Sequence, residues 1–162
     1  MSRPITLVTG QWTDLAPEEL ARKAAAWGYD GLEMVCRSGY IDVQQAADNP
    51  DYCRQRLELL ARFGLKCFAL SNHAAGHLVC DPNGDSRTDV LAPPRCAGNA
   101  EAKRQWAIEA MKLTARAARN LGVGVVTCFT GSPVWHLLYR FPPVPEEWIE
   151  AGYRRFAELW NP

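Results

Sequence analysis

Residues 27–33 read Trp-Gly-Tyr-Asp-Gly-Leu-Glu, and the role given to Gly28 decides the fold. Upstream, Pro17-Glu18-Glu19 suits a helix start, because proline is tolerated in the first turn and the two acids face the positive end of the helix dipole. Glycine takes the left-handed conformation that ends a helix without a Cβ clash, and the apolar residue after it can fold back on the last turn. Downstream, Leu32–Cys36 is a short, mostly apolar run. The stretch therefore reads as helix, stop and strand in succession. The same stop recurs at Phe63-Gly64-Leu65 and Leu121-Gly122-Val123, each between a helix-like and a strand-like segment.

Working outward, four strands are expected at Ile5–Thr9, Leu32–Cys36, Cys67–Leu70 and Val123–Phe129, all compact enough to be buried on both faces. A third helix carries Trp106, Ala110, Leu113, Ala117 and Leu121 at helical spacing. A fourth opens at Pro145-Glu146-Glu147 and stacks Ile149, Tyr153, Phe156 and Trp160 on one side. Asp42 is placed to cap a short helix over Val43–Ala47. Strands alternating with helices predict parallel strands joined by helical crossovers, an α/β architecture. Joints from helix to strand are short, whereas 71–100 and 130–144, running from strand to helix, are long. Such loops emerge at the carboxyl ends of the strands, where parallel α/β folds bind ligands.

The bulk numbers remove several function classes. One hundred and sixty-two residues with 48% hydrophobic content suit a single domain over 1–162. Eighteen basic residues balance eighteen acidic ones, so neither nucleic acid nor an anionic membrane surface is an expected partner. No apolar run approaches a bilayer span, and the first residues lack the apolar core of a secretion signal, so a cytoplasmic location is expected. Six cysteines without a Cys-x-x-Cys pair argue against a zinc knuckle and for unpaired thiols. Gly122-Val123-Gly124 precedes a strand rather than a helix, which excludes a phosphate-cradling dinucleotide fingerprint.

Four strand ends converging on one face would present Gln11 and Trp12, Glu33 and Cys36, Asn72 and His73, and Thr130, Ser132, Trp135 and His136. Amide, hydroxyl, imidazole and carboxylate groups pair donors with acceptors, and an indole offers a flat face to the C–H side of a ring. That mixture suits a small-molecule sugar or polyol. Gln11, Trp12, Glu33, His73, Trp135 and His136 are the candidate substrate-binding residues, with no metal ligand among them. His77 stands four positions after His73, a spacing that makes a metal pair only on a helix. Gly76 and Asp81-Pro82 instead predict a loop, with His77 a loop residue.

The segments Ile5–Asp14 (ITLVTGQWTD), Trp27–Glu33 (WGYDGLE), Phe63–His73 (FGLKCFALSNH) and Leu121–His136 (LGVGVVTCFTGSPVWH) together resemble the sugar phosphate isomerase/epimerase group of xylose-isomerase-like TIM barrels. The resemblance implies a (β/α)8 barrel of which this chain is the parallel (βα)4 N-terminal half, whether as a truncated reading frame, a split gene or a fragment. It implies a sugar isomerase or epimerase that moves a proton next to a carbonyl. A divalent metal (Mn, Mg, Zn or Co) is then expected only in the complete barrel, held by second-half residues, with none in this chain alone. Glu33, His73 and His136 match first-half strand ends that line the substrate pocket, or that supply histidine ligands in the abasic-DNA endonuclease branch. A half-barrel would be completed by a complementary C-terminal half or by a second copy. The alternatives are a non-catalytic binding or assembly module and, disfavoured by three histidines and zero net charge, the endonuclease.

Overall fold

A computed structural model of the chain describes residues 3–37, 39–137, 139 and 141–161; Met1 and Pro162, the bounds of the expected domain, lie outside them. The described residues form two compact units, one within 3–72 and 112–127 and one within 73–111 and 128–161.

The first unit contains a four-stranded parallel sheet of β1 (Thr6–Val8), β2 (Gly31–Val35), β3 (Lys66–Ser71) and β4 (Val126–Thr127), in the order β1-β2-β3-β4. Helix α1 (Pro17–Ala26) joins β1 to β2, while α2 (Val43–Asp48) and α3 (Pro50–Ala61) join β2 to β3. All three glycine stops take positive φ, at 86°, 72° and 68° for Gly28, Gly64 and Gly122. Each closes with the same long backbone bond: Tyr29 N to Ala24 O, Leu65 N to Leu60 O, and Val123 N to Ala118 O, at 3.1, 3.1 and 2.8 Å. This double-bonded stop satisfies carbonyls that a helix end would otherwise leave open. Asp42 caps α2 as expected, its Oδ1 accepting from Gln44 N and Gln45 N.

Leu32, Met34 and Leu70 are buried in one core with Leu20, Ala21 and Ala24 of α1, Leu60 of α3, and Ala117, Ala118 and Leu121. The crossover helices thus share one side of the sheet. Each fully buried aliphatic side chain contributes roughly 1.5–3 kcal/mol, more than the ~1 kcal/mol of a helix cap, so packing decides which face the helices cover. Parallel strands in sequential order with helices on one side are a barrel segment; an open doubly wound sheet reverses its strand order and carries helices on both sides. The α/β half-barrel read from the sequence is the observed architecture.

Two expectations change. Only β2 and the second half of β3 are largely buried; Ile5, Val125 and Phe129, beside β1 and β4, are 62%, 52% and 61% exposed. Among the described residues β1 and β4 each have a strand neighbour on one side only. For the same reason the apolar run Val123–Phe129 yields a strand of two residues, extending only where Leu70 and Ser71 provide partners.

In the second unit the segment expected to be a loop contains α4 (His73–Cys80), and His77 is therefore helical. Leu78, Val79 and Cys80 bury themselves in a separate core with Ala107 and, at its margin, Trp106, Phe156 and Trp160. Gly76 is the reason the helix can seat there, since a Cβ on it would stand 2.2 Å from Phe129 O. Asp81-Pro82 ends the helix rather than interrupting a loop. The long helix α5 (Ala100–Asn120) contributes residues 100–111 to this unit and 112–120 to the other; α6 (Glu146–Trp160) starts after Pro145 as expected. No described helix is long and apolar enough to cross a membrane.

Candidate functional site

On the sheet face opposite the helices, Glu33 pairs with Ala69 in register, and Ser71 with Thr127. Alternation therefore puts Glu33, Ala69, Ser71 and Thr127 on one face. Ala69 is small, and Glu33 reaches past it so that Thr127 Oγ1 donates to Glu33 Oε1 at 2.8 Å. Ser71 is fully buried, and its Oγ has no hydrogen-bond partner among the described residues. A carboxylate and two hydroxyls thus gather at the carboxyl end of the parallel strands. Thr9, also fully buried, extends the ladder past β1: its Oγ1 donates to Glu33 O at 3.1 Å and accepts from Val35 N at 2.8 Å. The backbone carrying Glu33 is thus held from the turn that follows β1.

Gln11 closes the single turn Thr9–Gln11 and is exposed. Trp12 packs its ring 5.4 Å from that of Trp27 and lines an apolar cavity of about 490 Å³ with Ile5, Leu7 and Tyr29. Glu33 is not part of that wall, so the structure does not bring Trp12 and Glu33 into one pocket. Asn72 turns to α5, its Nδ2 donating to Thr114 Oγ1 at 2.8 Å. Burial pushes the Cys36 thiol up to about 12, against a smaller lowering by its hydrogen bond to Thr114, and burial pushes Cys67 up to about 11. A thiol that keeps its proton is a poor nucleophile near neutral pH, so Cys36 is ill suited to that role.

The second unit places the remaining candidates. His73 opens α4 with its ring 4.7 Å from that of Phe129, and its Nδ1 is buried without a partner among the described residues. Trp135 and His136 form the turn Trp135–Leu137 and line a cavity of about 320 Å³ together with His77, Asp81, Asn83 and Arg87. His73 does not line it. His77 Nε2 lies 2.5 Å from Asp81 Oδ2, and the other carboxylate oxygen accepts from Ser132 N at 3.1 Å.

Sequence reasoning missed Thr127 and set His77 aside. A hydroxyl inside the apolar run Val123–Phe129 is the signal that would have found Thr127; Asp81, one helical turn after His77, is the signal for the other. Among the described residues no three His, Cys, Asp or Glu side chains gather closely enough to hold a metal ion.

The family described as xylose isomerase-like TIM barrel matches residues 21–162. No curated protein matches the chain. With sequential parallel strands, helices on one side and polar groups at the strand ends, this chain belongs to the xylose isomerase-like TIM barrel family.

Proposed function

We propose that the chain forms the substrate-binding half of an enzyme that isomerises or epimerises a sugar or sugar phosphate by moving a proton next to a carbonyl. The observation that carries the reading is the Glu33–Thr127 hydrogen bond at the strand ends, in a chain of this family. Held from one side by Thr127, the Glu33 carboxylate retains acceptor capacity for sugar hydroxyls. Its role is to orient hydroxyls rather than to abstract the proton, and His73 takes the same role in its own unit. The β1 and β4 edges invite a complementary C-terminal half or a second copy, as open parallel edges do. A metal, where the family uses one, has no complete ligand set among the described residues.

The test is proton exchange in D2O with aldoses and ketoses, followed by NMR at the carbon beside the carbonyl, using the chain alone and co-expressed with the C-terminal half of a full-length family member. Exchange is expected in the completed barrel. Glu33→Gln should raise KM by roughly tenfold to a hundredfold, the equivalent of about 1.5–3 kcal/mol for a hydrogen bond to a charged group. Exchange with no sugar in either form would overturn the reading.

A second reading, an assembly module without catalysis, is favoured by the apolar cavity beside the β1 edge and by Trp27, which is half exposed there. Tight association without proton exchange is its signature.

A further inference from the structure

The cavity that Trp135 and His136 line together with the loop after α4 has a buried acceptor in its wall that nothing in the chain satisfies. Asn83, 2% exposed and part of that wall, donates its Nδ2 to Leu78 O at 2.7 Å, while its Oδ1 has no partner among the described residues. Such an atom is met by a donor from outside the chain. Asp81, in the same wall and 6% exposed, accepts from Ser132 N with one oxygen and holds His77 Nε2 with the other, 2.5 Å away. A carboxylate has about four lone-pair positions, so these two bonds do not saturate it. The nearby donors are engaged elsewhere. Arg87 forks onto Asp85, its Nε and Nη2 3.0 and 2.6 Å from the carboxylate oxygens.

Charge narrows the ligand further. Arg87 pairs with Asp85, Lys103 with Asp89, and Arg104 with Glu101. Asp81 instead has a histidine, and no lysine or arginine, as its ion-pair partner among the described residues. The loop therefore carries four carboxylates against three cations that are already paired, and an added cation offsets the difference where a phosphate would enlarge it. Hydrogen bonding separates a cation from a neutral hydroxyl as well: a hydroxyl brings an acceptor along with its donor, whereas an ammonium brings donors alone. Trp135, 57% exposed, adds an indole to the wall, and indole faces attract ammonium groups through the ring quadrupole.

From this juxtaposition we infer that the cavity around Asp81, Asn83 and Trp135 binds a primary alkylammonium group, with its N–H donors on Asn83 Oδ1 and the Asp81 carboxylate and its charge against the Trp135 ring. Every residue invoked lies in the second unit, and the inference does not rest on the proton transfer proposed above.

Titrating the full chain at constant ionic strength with n-butylammonium chloride, tetramethylammonium chloride and 1-butanol, read by NMR at the Trp135 indole N–H and the Asn83 side-chain amide, tests the site. n-Butylammonium should shift both signals at millimolar concentration. Tetramethylammonium keeps the charge without an N–H, and 1-butanol keeps the chain without the charge; each should bind about tenfold more weakly. Trp135→Ala alters an exposed side chain and should weaken n-butylammonium binding about fivefold, read at Asn83. Asn83 has φ 58°, a conformation open to glycine, so Asn83→Gly removes the acceptor and keeps the backbone; it should weaken binding about tenfold, read at Trp135. Should that variant lose its folded spectrum, the tetramethylammonium comparison tests the same N–H contact. Trp148→Ala, at an indole equally exposed outside the cavity, should leave the affinity unchanged. No shift with n-butylammonium, equal affinity for either comparison compound, or affinity indifferent to Trp135→Ala would each overturn the inference. A loss in Trp148→Ala as large as that in Trp135→Ala would mark general contact with exposed indoles and overturn it too.

Discussion

The two units hold their polar groups by different means. In the first, Glu33, Ser71 and Thr127 are set by the strand ladder: register and alternation alone put them on one face. In the second, none of the described residues lining the cavity belongs to a strand. Its loop is gathered by the buried Lys103 ammonium, which donates to Asn83 O, Asp85 O and Thr88 Oγ1 and pairs with Asp89. Arg104 adds a bond from Nη2 to Asp81 O at 3.2 Å. A ladder spreads its support over many equivalent backbone bonds, whereas a hub concentrates it in one side chain. The ladder should therefore resist substitution of any polar residue on its face and fail on steric intrusion, and the hub should fail when its centre is removed.

Lys103→Met tests the hub, and no larger effect is expected elsewhere. Removing the cation leaves Asp89 with the Gly98 N bond alone and takes the donor from two loop carbonyls, and losing the buried cation of such a pair costs about 2 kcal/mol, less than for a pair buried at both ends. Denaturant unfolding should register the loss. Amides of residues 83–91 should exchange faster, while those of β2 and β3 stay protected. Equal loss of protection in both units would show that Lys103 supports more than its own loop.

Gly31→Ala tests the ladder by intrusion. An added Cβ would lie 2.2 Å from Lys66 O and 2.6 Å from the Phe68 ring, and the first of these is backbone that cannot swing away. Overpacking of this kind costs about 2 kcal/mol, and here it falls at the start of the β2–β3 pairing. The expected pattern is the mirror of the first: exchange speeds up in β2 and β3, and residues 83–91 keep their protection.

The same contrast explains what could be read in advance. Gly28, Gly64 and Gly122 were legible because a helix stop is local: the glycine, the residue after it and the preceding turn contain the whole signal. The α/β order followed from repeating that stop three times. The helix over His73–Cys80 was hidden because Gly76 and Asp81-Pro82 resemble loop residues, and what holds the helix is burial against Ala107, Trp106 and Phe156, far away in sequence. The Glu33–Thr127 bond joins residues 94 positions apart, and only strand register brings them together. Gln11, Trp12, Glu33, His73, Trp135 and His136 could be named as polar or aromatic groups near strand ends. Which of them share a wall depends on side-chain direction, and composition does not encode that.

The smallest effect at neutral pH belongs to two partly buried thiols of the first unit, packed against the ladder's core. Cys36 and Cys67 are raised by burial from an ordinary value of 9.0 to about 12 and about 11. Below pH 9 the folded and unfolded chains both keep these protons, so no stability depends on them. Above it the unfolded chain releases protons that the folded chain retains, and the state binding fewer protons gains as pH rises. Stability should therefore fall progressively from pH 9 through about 12, following urea midpoints measured across that range. Cys36→Ser and Cys67→Ser together should flatten the decline, because a hydroxyl does not ionise there. A decline of undiminished slope in the double variant would place the alkaline sensitivity elsewhere. The ladder's interior would then be no drier than its surface, contrary to the burial that keeps both thiols protonated.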